Sequence, residues 1–397
     1  MKQGWEIKTI GNVCKVIAGQ SPEGKFYNDN GNGLPFYQGK KEYGEKYIGE
    51  PTTWTTKVTK EAEANDILMS VRAPVGPINF ATQKICIGRG LAAIRATKLI
   101  DKEFLFNFLL KHESEIIGNT GAVFNSINKA QIEAIEIPLP PLPEQQRIVS
   151  ILDEAFAAIA KAKANAEQNL RNAKEVFESY LQGVFEEKGE GWKEKSLGDI
   201  ATFRNGMNFT KGSKGERIKI VGVRDFQKNF WVSLEDLEFV TIDGGLNEID
   251  FLKEGDILSV RSNGNPELIG RTLLAGSVAG KVSHSGFTIR IRLNTTDISP
   301  IYLCRYLKTQ KTRKELVDSG NGVGIKSLNQ GSLSSLLIPI PKSLKDQQTI
   351  VQKLDTLSTE TKKLEAIYQQ KINDLEEMKK SILQKAFSGG LNYDSFD

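Results

Sequence analysis

The sequence predicts an α+β protein in which two similar globular domains are separated by two long antiparallel helices that form a coiled coil. Two observations support this prediction: two long proline-free stretches with helical periodicity, and an internal repeat that spans the 397 residues. We predict the first globular domain over 1–143, the first long helix over 144–188, the second globular domain over 189–341, and the second long helix with a C-terminal tail over 342–397.

The first long helix follows a proline-rich run that ends at Pro143. From Glu144 onwards no glycine occurs until Gly183, and apolar or alanine residues recur every three or four positions. Such a helix extends about 65 Å at ~1.5 Å per residue. Because its apolar stripe is narrow, we expect it to pair with another helix. The stripe comprises Ile148, Leu152, Ala155, Ile159, Ala162, Ala166, Leu170, Ala173, Phe177, Tyr180 and Val184.

The same pattern recurs near the C-terminal end of the chain. There Gln347–Gln348 corresponds to Gln145–Gln146, and Ser343 and Asp346 have the spacing of a helix-capping pair. To bury its stripe on the first helix, the second helix has to run antiparallel to it. This second stripe comprises Ile350, Leu354, Leu357, Leu364, Tyr368, Leu375, Met378 and Ile382.

The repeat also covers the globular domains. A tryptophan precedes a glycine by six residues in both copies, as Trp5 and Gly11 and as Trp192 and Gly198. The segment 65–72 is also similar in sequence to the segment 255–261. The order of domain, helix, domain, helix predicts a pseudo-twofold arrangement of two related halves. In this alignment Arg72 and Arg261 occupy equivalent positions, each after a predicted strand, over Ile67–Val71 and Ile257–Val260.

Composition limits the possible functions. The chain has three scattered cysteines and two histidines without a CxxC pair, so we expect free buried thiols and no zinc site. It shows no apolar run of the ~18 residues that span a membrane, and no signal peptide. We therefore expect a cytoplasmic protein that does not interact with membranes. No catalytic or metal-binding motif stands out, which favours binding over catalysis.

Positive charge is concentrated in the globular domains. The first domain has 17 basic and 15 acidic side chains and the second has 21 and 17, whereas neither helix segment is net positive. Two related basic domains held on a spacer are suited to binding a negatively charged polymer with a repeating structure, such as double-stranded DNA. The loop 204–228 is the most basic segment, with Arg204, Lys211, Lys214, Arg217, Lys219, Arg224 and Lys228.

Candidate DNA contacts are loop residues that can neutralise phosphates or hydrogen-bond base edges. For Arg72 and Arg261, a structural role in holding the loop is an equal alternative. For the aromatic, glycine-rich segment 19–49, an ordinary surface loop is an equal alternative. The candidates are Gln38, Lys40, Lys41 and Arg72 in the first domain, and Lys211, Lys214, Arg217, Arg261, Asn263 and Asn265 in the second.

Other basic residues allow two interpretations. Arg290 and Arg292 alternate with apolar residues and predict a strand with one basic face. A helix is predicted to begin at Ser299–Pro300. Its basic side chains form either a solvent-exposed face, which we favour, or a contact with phosphate. These residues are Arg305, Lys308, Lys311 and Arg313. For His284 we favour an ordinary hydrogen-bonded histidine.

The chain resembles the specificity subunits of type I restriction-modification systems. The resemblance rests on the segments Ile135–Glu154 and Leu336–Asp355, the tryptophan segments and the duplicated plan. It implies that each globular domain is a target recognition domain for half of a split DNA sequence, and that the coiled coil sets the gap between the halves. It also implies two methyltransferase subunits that bind S-adenosylmethionine and methylate adenine, and motor-nuclease subunits that use ATP and Mg²⁺. No cofactor, metal or catalytic residue is then expected in this chain itself.

Two alternatives belong to other classes. A coiled-coil adapter would bind proteins through its domains and would show no salt-sensitive affinity for DNA. A self-contained modification enzyme would bind S-adenosylmethionine by itself, but the chain shows no Asn/Asp-Pro-Pro-Phe/Tyr tetrapeptide of the amino-methyltransferases.

Overall fold

A computed structural model describes residues 4–118, 126–227, 229–318 and 327–391. Lys228 of the basic loop therefore lies outside the described residues. The chain divides into two compact units, one formed by Met1–Glu167 with Gln370–Asp397 and the other by Gln168–Gln369. Each of the two long helices thus contributes one part to each unit.

The first unit contains eleven described strands and the start of the first long helix. The strands are β1 Glu6–Thr9, β2 Cys14–Ala18, β3 Tyr27–Asn28, β4 Leu34–Tyr37, β5 Trp54–Thr55, β6 Glu61–Ala62, β7 Ile67–Ser70, β8 Ile78–Phe80, β9 Ile85–Ile87, β10 Leu91–Ala96 and β11 Glu136–Leu139. The helices are α1 Ile10–Val13, α2 Lys102–Gly118, α3 Lys129–Glu133 and α4 Leu142–Glu186.

The second unit contains nine described strands, four short helices, the end of α4 and the start of the second long helix. The strands are β12 Lys193–Ser196, β13 Ala201–Asn205, β14 Glu216–Val221, β15 Glu238–Ile242, β16 Ile257–Val260, β17 Thr272–Leu274, β18 Val282–His284, β19 Thr288–Leu293 and β20 Leu337–Ile340. The helices are α5 Leu197–Ile200, α6 Pro300–Leu307, α7 Gln310–Asp318, α8 Gln330–Ser334 and α9 Leu344–Ser388.

The two globular domains share one scaffold, as the repeat predicts. Each has a four-stranded antiparallel sheet, in the order β2-β10-β7-β8 in the first domain and β13-β19-β16-β17 in the second. Ile67 pairs with Ile94 in one sheet as Ile257 pairs with Ile291 in the other. A two-stranded sheet completes each scaffold, β1-β11 and β12-β20. The fold class predicted from the sequence is therefore confirmed.

The domains differ in a second sheet that is inserted into each scaffold. The first domain carries a five-stranded sheet in the order β3-β5-β4-β9-β6, whereas the second carries three strands in the order β15-β14-β18. Several candidate DNA contacts lie in these insertions: Lys40 and Lys41 follow β4, and Arg217 lies on β14. The shared scaffold therefore presents different side chains in the two domains.

The long helices α4 and α9 are 45 residues each, and they run antiparallel within the first unit. There the Lys163 ammonium lies 2.7 Å from the Glu376 carboxylate, and the Arg147 guanidinium donates to the Leu391 carbonyl at 3.1 Å. In the second unit Leu181 of α4 and Leu354 of α9 share one core.

Part of the predicted apolar stripes is solvent-exposed. Tyr180, Leu364 and Met378 are 41%, 43% and 52% exposed, so their predicted burial is wrong. Thr361 and Ile372 are buried instead. The reason is that the globular domains also cover the helices, so the buried face is not set by the helix pair alone. In the described ranges, no helix combines the length and apolar character that crossing a bilayer requires.

A buried glutamine joins the start of each long helix to its domain. The Gln145 side-chain oxygen accepts a hydrogen bond from the Asp101 amide at 2.8 Å, and its Nε2 donates to the Leu99 carbonyl at 3.2 Å. The Gln347 side chain does the same with the Ser299 amide at 2.8 Å and the Asp297 carbonyl at 2.9 Å. These contacts explain why the glutamine recurs in both copies.

Candidate nucleic-acid interface

A glycine-flanked turn between β9 and β10 gathers candidate residues of the first domain. The Gly88 amide donates to the Tyr37 carbonyl at 2.8 Å, and the Val71 amide donates to the Gly90 carbonyl at 2.9 Å. These bonds place Gln38 and Arg72, the next residues in their segments, beside the same turn. Both residues are exposed. Lys40 and Lys41 follow Gln38 in an exposed 3₁₀ turn over Lys40–Glu42.

Arg89 belongs to this surface, although it was not among the candidates predicted from the sequence. It is exposed at the tip of the turn between Gly88 and Gly90, and its amide donates to the Ser21 hydroxyl at 3.3 Å. An arginine between two glycines and two apolar strands is the signal that could have identified it. We name the group of Gln38, Lys40, Lys41, Arg72 and Arg89 the first loop surface.

The second domain has a matching turn between β18 and β19. The Met207 amide donates to the His284 carbonyl at 2.7 Å, as the Gln20 amide donates to the Ile87 carbonyl at 3.0 Å in the first domain. The Arg261 amide donates to the Phe287 carbonyl at 2.8 Å. Phe287 is 61% exposed at this turn, so an aromatic ring stands where the first domain has glycine.

The predicted equivalence of Arg72 and Arg261 is wrong by one residue. Arg261 donates to the β18–β19 turn and accepts from the Leu328 amide at 2.9 Å, whereas in the first domain Val71 makes the corresponding pair of bonds, with Gly90 and Ile127. Strand residues 67–70 and 257–260 pair with the next strand in the same register and without a gap, so Arg261 matches Val71 and the gap needed to match the two arginines is not present. Arg261 is consequently half-buried, while Arg72 is exposed.

Asn263 and Asn265 use their side-chain oxygens to hold their own loop. The Asn263 oxygen accepts from the Asn265 amide at 2.8 Å, and the Asn265 oxygen accepts from the Glu267 amide at 3.0 Å. The latter bond caps the 3₁₀ helix Pro266–Leu268. The side-chain NH₂ groups remain as donors, which suit the purine N7 and O6 and the thymine O4 acceptors of the major groove.

Lys211, Lys214 and Arg217 are exposed on a separate part of the second domain. The Lys214 amide donates to the Asp243 carboxylate at 2.6 Å, and hydrogen bonds from the Ser213 hydroxyl and this amide lower the pKa of Asp243. The Arg217 guanidinium lies 4.9 Å from the centre of the Phe239 ring, which is 51% exposed. The result is an anchored basic loop beside a cation–aromatic pair, here named the lysine loop.

The predicted strand over Arg290 and Arg292 is confirmed as β19, and its basic face is turned into the domain. Arg292 makes two 2.7 Å bonds to the Asp256 carboxylate. Arg290 is buried, donates to the Ile249 carbonyl at 2.6 Å, and has a pKa lowered mainly by burial. In the first domain Arg95 pairs with Asp66 in the same two-bond geometry, so this ion pair belongs to the scaffold.

The helix predicted from Ser299 is interrupted after Leu307 and resumes at Gln310 as α7. Of its four cations, Lys311 is exposed, whereas Arg305, Lys308 and Arg313 are half-buried and do not form a solvated face. The Lys308 ammonium donates to the Thr272 carbonyl at 2.7 Å, and the Arg313 guanidinium donates to the Ile269 carbonyl at 3.2 Å. His284 is buried, with its Nδ1 2.8 Å from the Thr288 hydroxyl, which confirms an ordinary hydrogen-bonded histidine.

Among the residues that the structure describes, no group of three or more His, Cys, Asp or Glu side chains could hold a metal ion. The three cysteines, Cys14, Cys86 and Cys304, are free and buried as predicted. Burial raises the pKa of the Cys14 thiol to about 12, so this thiol stays protonated at neutral pH.

Comparison with known proteins adds a family match. The sequence model of the type I restriction modification DNA specificity domain matches residues 2–168 and again residues 189–377. The chain is 42% identical over 184 residues to a putative type I restriction enzyme MjaX specificity subunit of Methanocaldococcus jannaschii, a match that covers 45% of this chain and 43% of that protein. It is 27% identical over 322 residues to the StySPI specificity subunit of Salmonella potsdam, covering 77% and 68%. The chain thus spans less than half of the first relative and about two thirds of the second.

Two solved structures share the fold. One comes from a study of complex assembly and conformational transition of the type I R-M system, with a TM-score of 0.79, 18% identity and coverage of 98% of this chain and 99% of that one. The other is the HsdS subunit of Thermoanaerobacter tengcongensis, with a TM-score of 0.59, 18% identity and 98% coverage of both chains. At this identity the likeness shows the fold alone.

Proposed function

Because the chain belongs to the family of type I restriction-modification DNA specificity subunits, we propose that it reads a bipartite DNA sequence, one half with each of its domains. One observation supports this best: two copies of the family's domain share a scaffold and differ in the sheets and loops inserted into it. A shared scaffold favours a shared mode of docking on DNA, whereas different loop side chains favour different half-sites.

The first loop surface and the loop 261–265 are the proposed reading elements. Gln38, Asn263 and Asn265 supply neutral donors for base edges, and the exposed lysines and arginines beside them supply phosphate contacts. The lysine loop adds sequence-independent affinity in the second domain. This division follows the general finding that phosphate contacts position a protein and base contacts specify the sequence.

Specificity subunits are non-catalytic components, so we propose that the chemistry resides in other subunits. Two methyltransferase subunits would bind S-adenosylmethionine and methylate adenine at N6, and motor-nuclease subunits would use ATP and Mg²⁺. In this proposal the long helices α4 and α9 dock the methyltransferase subunits and set the gap between the half-sites. A cytoplasmic location is part of the same proposal, since its target is cellular DNA. The adapter hypothesis is not favoured, because the family match covers both domains.

A methylation map tests the proposal. The chain is co-expressed with the methyltransferase subunit encoded beside it, and host DNA is sequenced by a method that detects N6-methyladenine. We expect new methylation at a split motif, and none when the chain is omitted. A folded complex that adds no methylation would contradict the proposal.

Two variants then assign the half-sites. Gln38→Ala is expected to relax one half of the motif, and Asn263→Ala with Asn265→Ala the other half, by roughly 1–3 kcal/mol for each base edge that is no longer hydrogen-bonded. If both variants relaxed the same half, the assignment of one half-site to each domain would be wrong.

A further inference from the structure

A cationic cavity lies within the second unit, between the globular domain and its parts of the two long helices. Its volume is about 480 Å³. The domain contributes residues of α6, α7 and the start of β17, and the long helices contribute 174–178 of α4 and 358–365 of α9. None of the candidate DNA-binding residues lines it.

The lining carries an excess of positive charge. Six basic side chains face two acidic ones, Glu178 and Glu365. Burial and the neighbouring Arg305 and Arg271 lower the pKa of Lys308, so the cations repel one another in this partly enclosed site. Such a field attracts anions. The basic residues are Lys174, Arg271, Arg305, Lys308, Arg313 and Lys362.

The guanidinium groups are held in place and still have donors to spare. Arg271 donates from Nε to the Glu267 carbonyl at 3.3 Å and from Nη1 to the Gln227 carbonyl at 3.1 Å, which leaves Nη2. Arg305 packs 4.2 Å from the centre of the Phe230 ring and pairs with Asp355 through Nη2. Its buried Nε has no partner among the described residues. An oxyanion can accept several such N–H groups at once.

The matching cavity in the first unit shows that the shared fold does not require this charge. Asp101 and Ser299 are equivalent residues, because the amide of each donates to the glutamine at the start of a long helix. Nine residues after them, Leu110 lines the first cavity where Lys308 lines the second. Glu113 packs on Gly76 there as Arg313 packs on Gly270 in the second unit. The first cavity has no excess of positive charge, since three lysines face three glutamates in its lining. The excess of positive charge, six basic against two acidic side chains, is therefore a feature of the second cavity that the first does not share.

We propose that the second-unit cavity binds a phosphate group, carried either by a free nucleotide or by the backbone of DNA. An occupant would contact Arg271, which lines the cavity. The Arg271 carbonyl accepts from the Val260 amide at 2.9 Å, at the base of the loop that carries Asn263 and Asn265. The site would then order this loop from below. The proposal stands on the cavity's own residues and does not depend on the proposed function.

Calorimetric titration of the full chain with inorganic phosphate, at constant ionic strength, tests the proposal. We expect saturable binding that weakens at least about tenfold, or ~1.4 kcal/mol, when two cations are removed in Lys308→Leu with Arg313→Gln. The matched control is Lys163→Gln with Lys379→Gln, which removes two cations from the first cavity and should leave phosphate affinity unchanged. Arg271→Gln, which is farther from the core, should weaken phosphate binding severalfold. This single variant replaces the double variant in the test if the double variant fails to fold.

Repeating the titration with saturating DNA that carries the mapped motif identifies the source of the phosphate. Loss of phosphate binding would assign the site to the DNA backbone, and retention would assign it to a free nucleotide. Absence of saturable binding to the wild-type chain, or equal affinity in the folded variants, would overturn the inference. A chain that binds no phosphate yet directs methylation would refute this site and leave the proposed function intact.

Discussion

At the residue scale, one aspartate in each domain has two structural roles. Asp66 binds the Arg95 guanidinium and accepts from the Glu63 amide at 2.8 Å, and Asp256 binds Arg292 and accepts from the Lys253 amide at 2.7 Å. Each aspartate thereby closes the turn that leads into a central strand, β7 or β16. The ion pair therefore holds the first residues of β7 or β16 in place. The proposed reading loop follows the last residue of the same strand.

Asp256→Asn is expected to destabilise the second domain by about 3 kcal/mol, because it leaves the Arg292 guanidinium without its buried carboxylate. Hydrogen exchange of the β16 and β19 amides measures this loss. Asp199→Asn, at an exposed position of the same domain, is the control and should change stability by less than ~0.5 kcal/mol. Equal protection in the two variants would contradict the structural role of Asp256.

Buried His284 makes the second domain sensitive to acid. Burial, and secondarily Arg290, lowers its pKa to about 3, whereas an unfolded histidine titrates near 6.5. Between these values the unfolded chain binds a proton that the folded domain does not, so stability falls as pH drops below ~6.5, by about 1.4 kcal/mol per pH unit. His284→Gln should reduce this slope of unfolding free energy against pH between about pH 6 and 5. Parallel slopes would show that His284 does not control the effect.

The lysine loop is expected to contribute to DNA affinity without sequence preference. Lys211→Glu, Lys214→Glu and Arg217→Glu together should weaken binding and reduce the slope of log K against log salt by about 1 for each phosphate that is no longer neutralised. The same reversal at three exposed lysines of the long helices, Lys161, Lys363 and Lys371, is the control. An unchanged salt slope would remove the lysine loop from the interface.

At the element scale, the junction between domain and long helix depends on one glutamine. Gln347→Ala leaves the Ser299 amide and the Asp297 carbonyl without their partner, which costs about 1–3 kcal/mol for each buried group left unsatisfied. We expect a corresponding decrease in the melting temperature of the second unit. The neighbouring Gln348→Ala is a matched control, since Gln348 is exposed. Similar decreases in both variants would contradict the anchoring role.

Elements with a local signal could be predicted from the sequence. Strands β7 and β16, the start of α9 and its Ser343–Asp346 cap lie where periodicity and capping residues predict them, because these signals depend on near neighbours. The inserted sheets could not be predicted, since their short strands pair with distant segments. The predicted burial of Leu364 failed for a related reason, because contacts with the globular domain help decide which helix positions are covered.

The candidate interface was predicted in part. Exposed loop residues such as Gln38 and Lys40 could be chosen by composition, and the structure gathers them beside one turn. Arg290 and Arg292 could not be assigned from the alternation of the strand, because their burial depends on partners some 40 residues away, Ile249 and Asp256. The register error at Arg261 arose because matching the two arginines requires a one-residue gap that the paired strands do not contain.

At the scale of the whole molecule, both long helices run continuously from one unit into the other. A change in the length of either helix therefore acts on both units at once. In the proposed function, the length of this helix pair determines the number of base pairs between the half-sites. The half-sites themselves depend on loops that lie elsewhere in the chain, so spacing and sequence preference should be separable.

Deleting one heptad from each helix, 164–170 from α4 together with 369–375 from α9, tests this separation. Lys163 pairs with Glu376, so in the antiparallel pair the start of the first range faces the end of the second, and the deletion shortens both helices by about 10 Å at ~1.5 Å per residue. We expect the methylated motif to keep both half-sites and to lose about three base pairs of the gap, at ~3.4 Å per pair. Deleting 164–170 alone shifts one helix against the other and should abolish methylation. A matched deletion that retains activity with the original gap would show that the helices do not set the spacing.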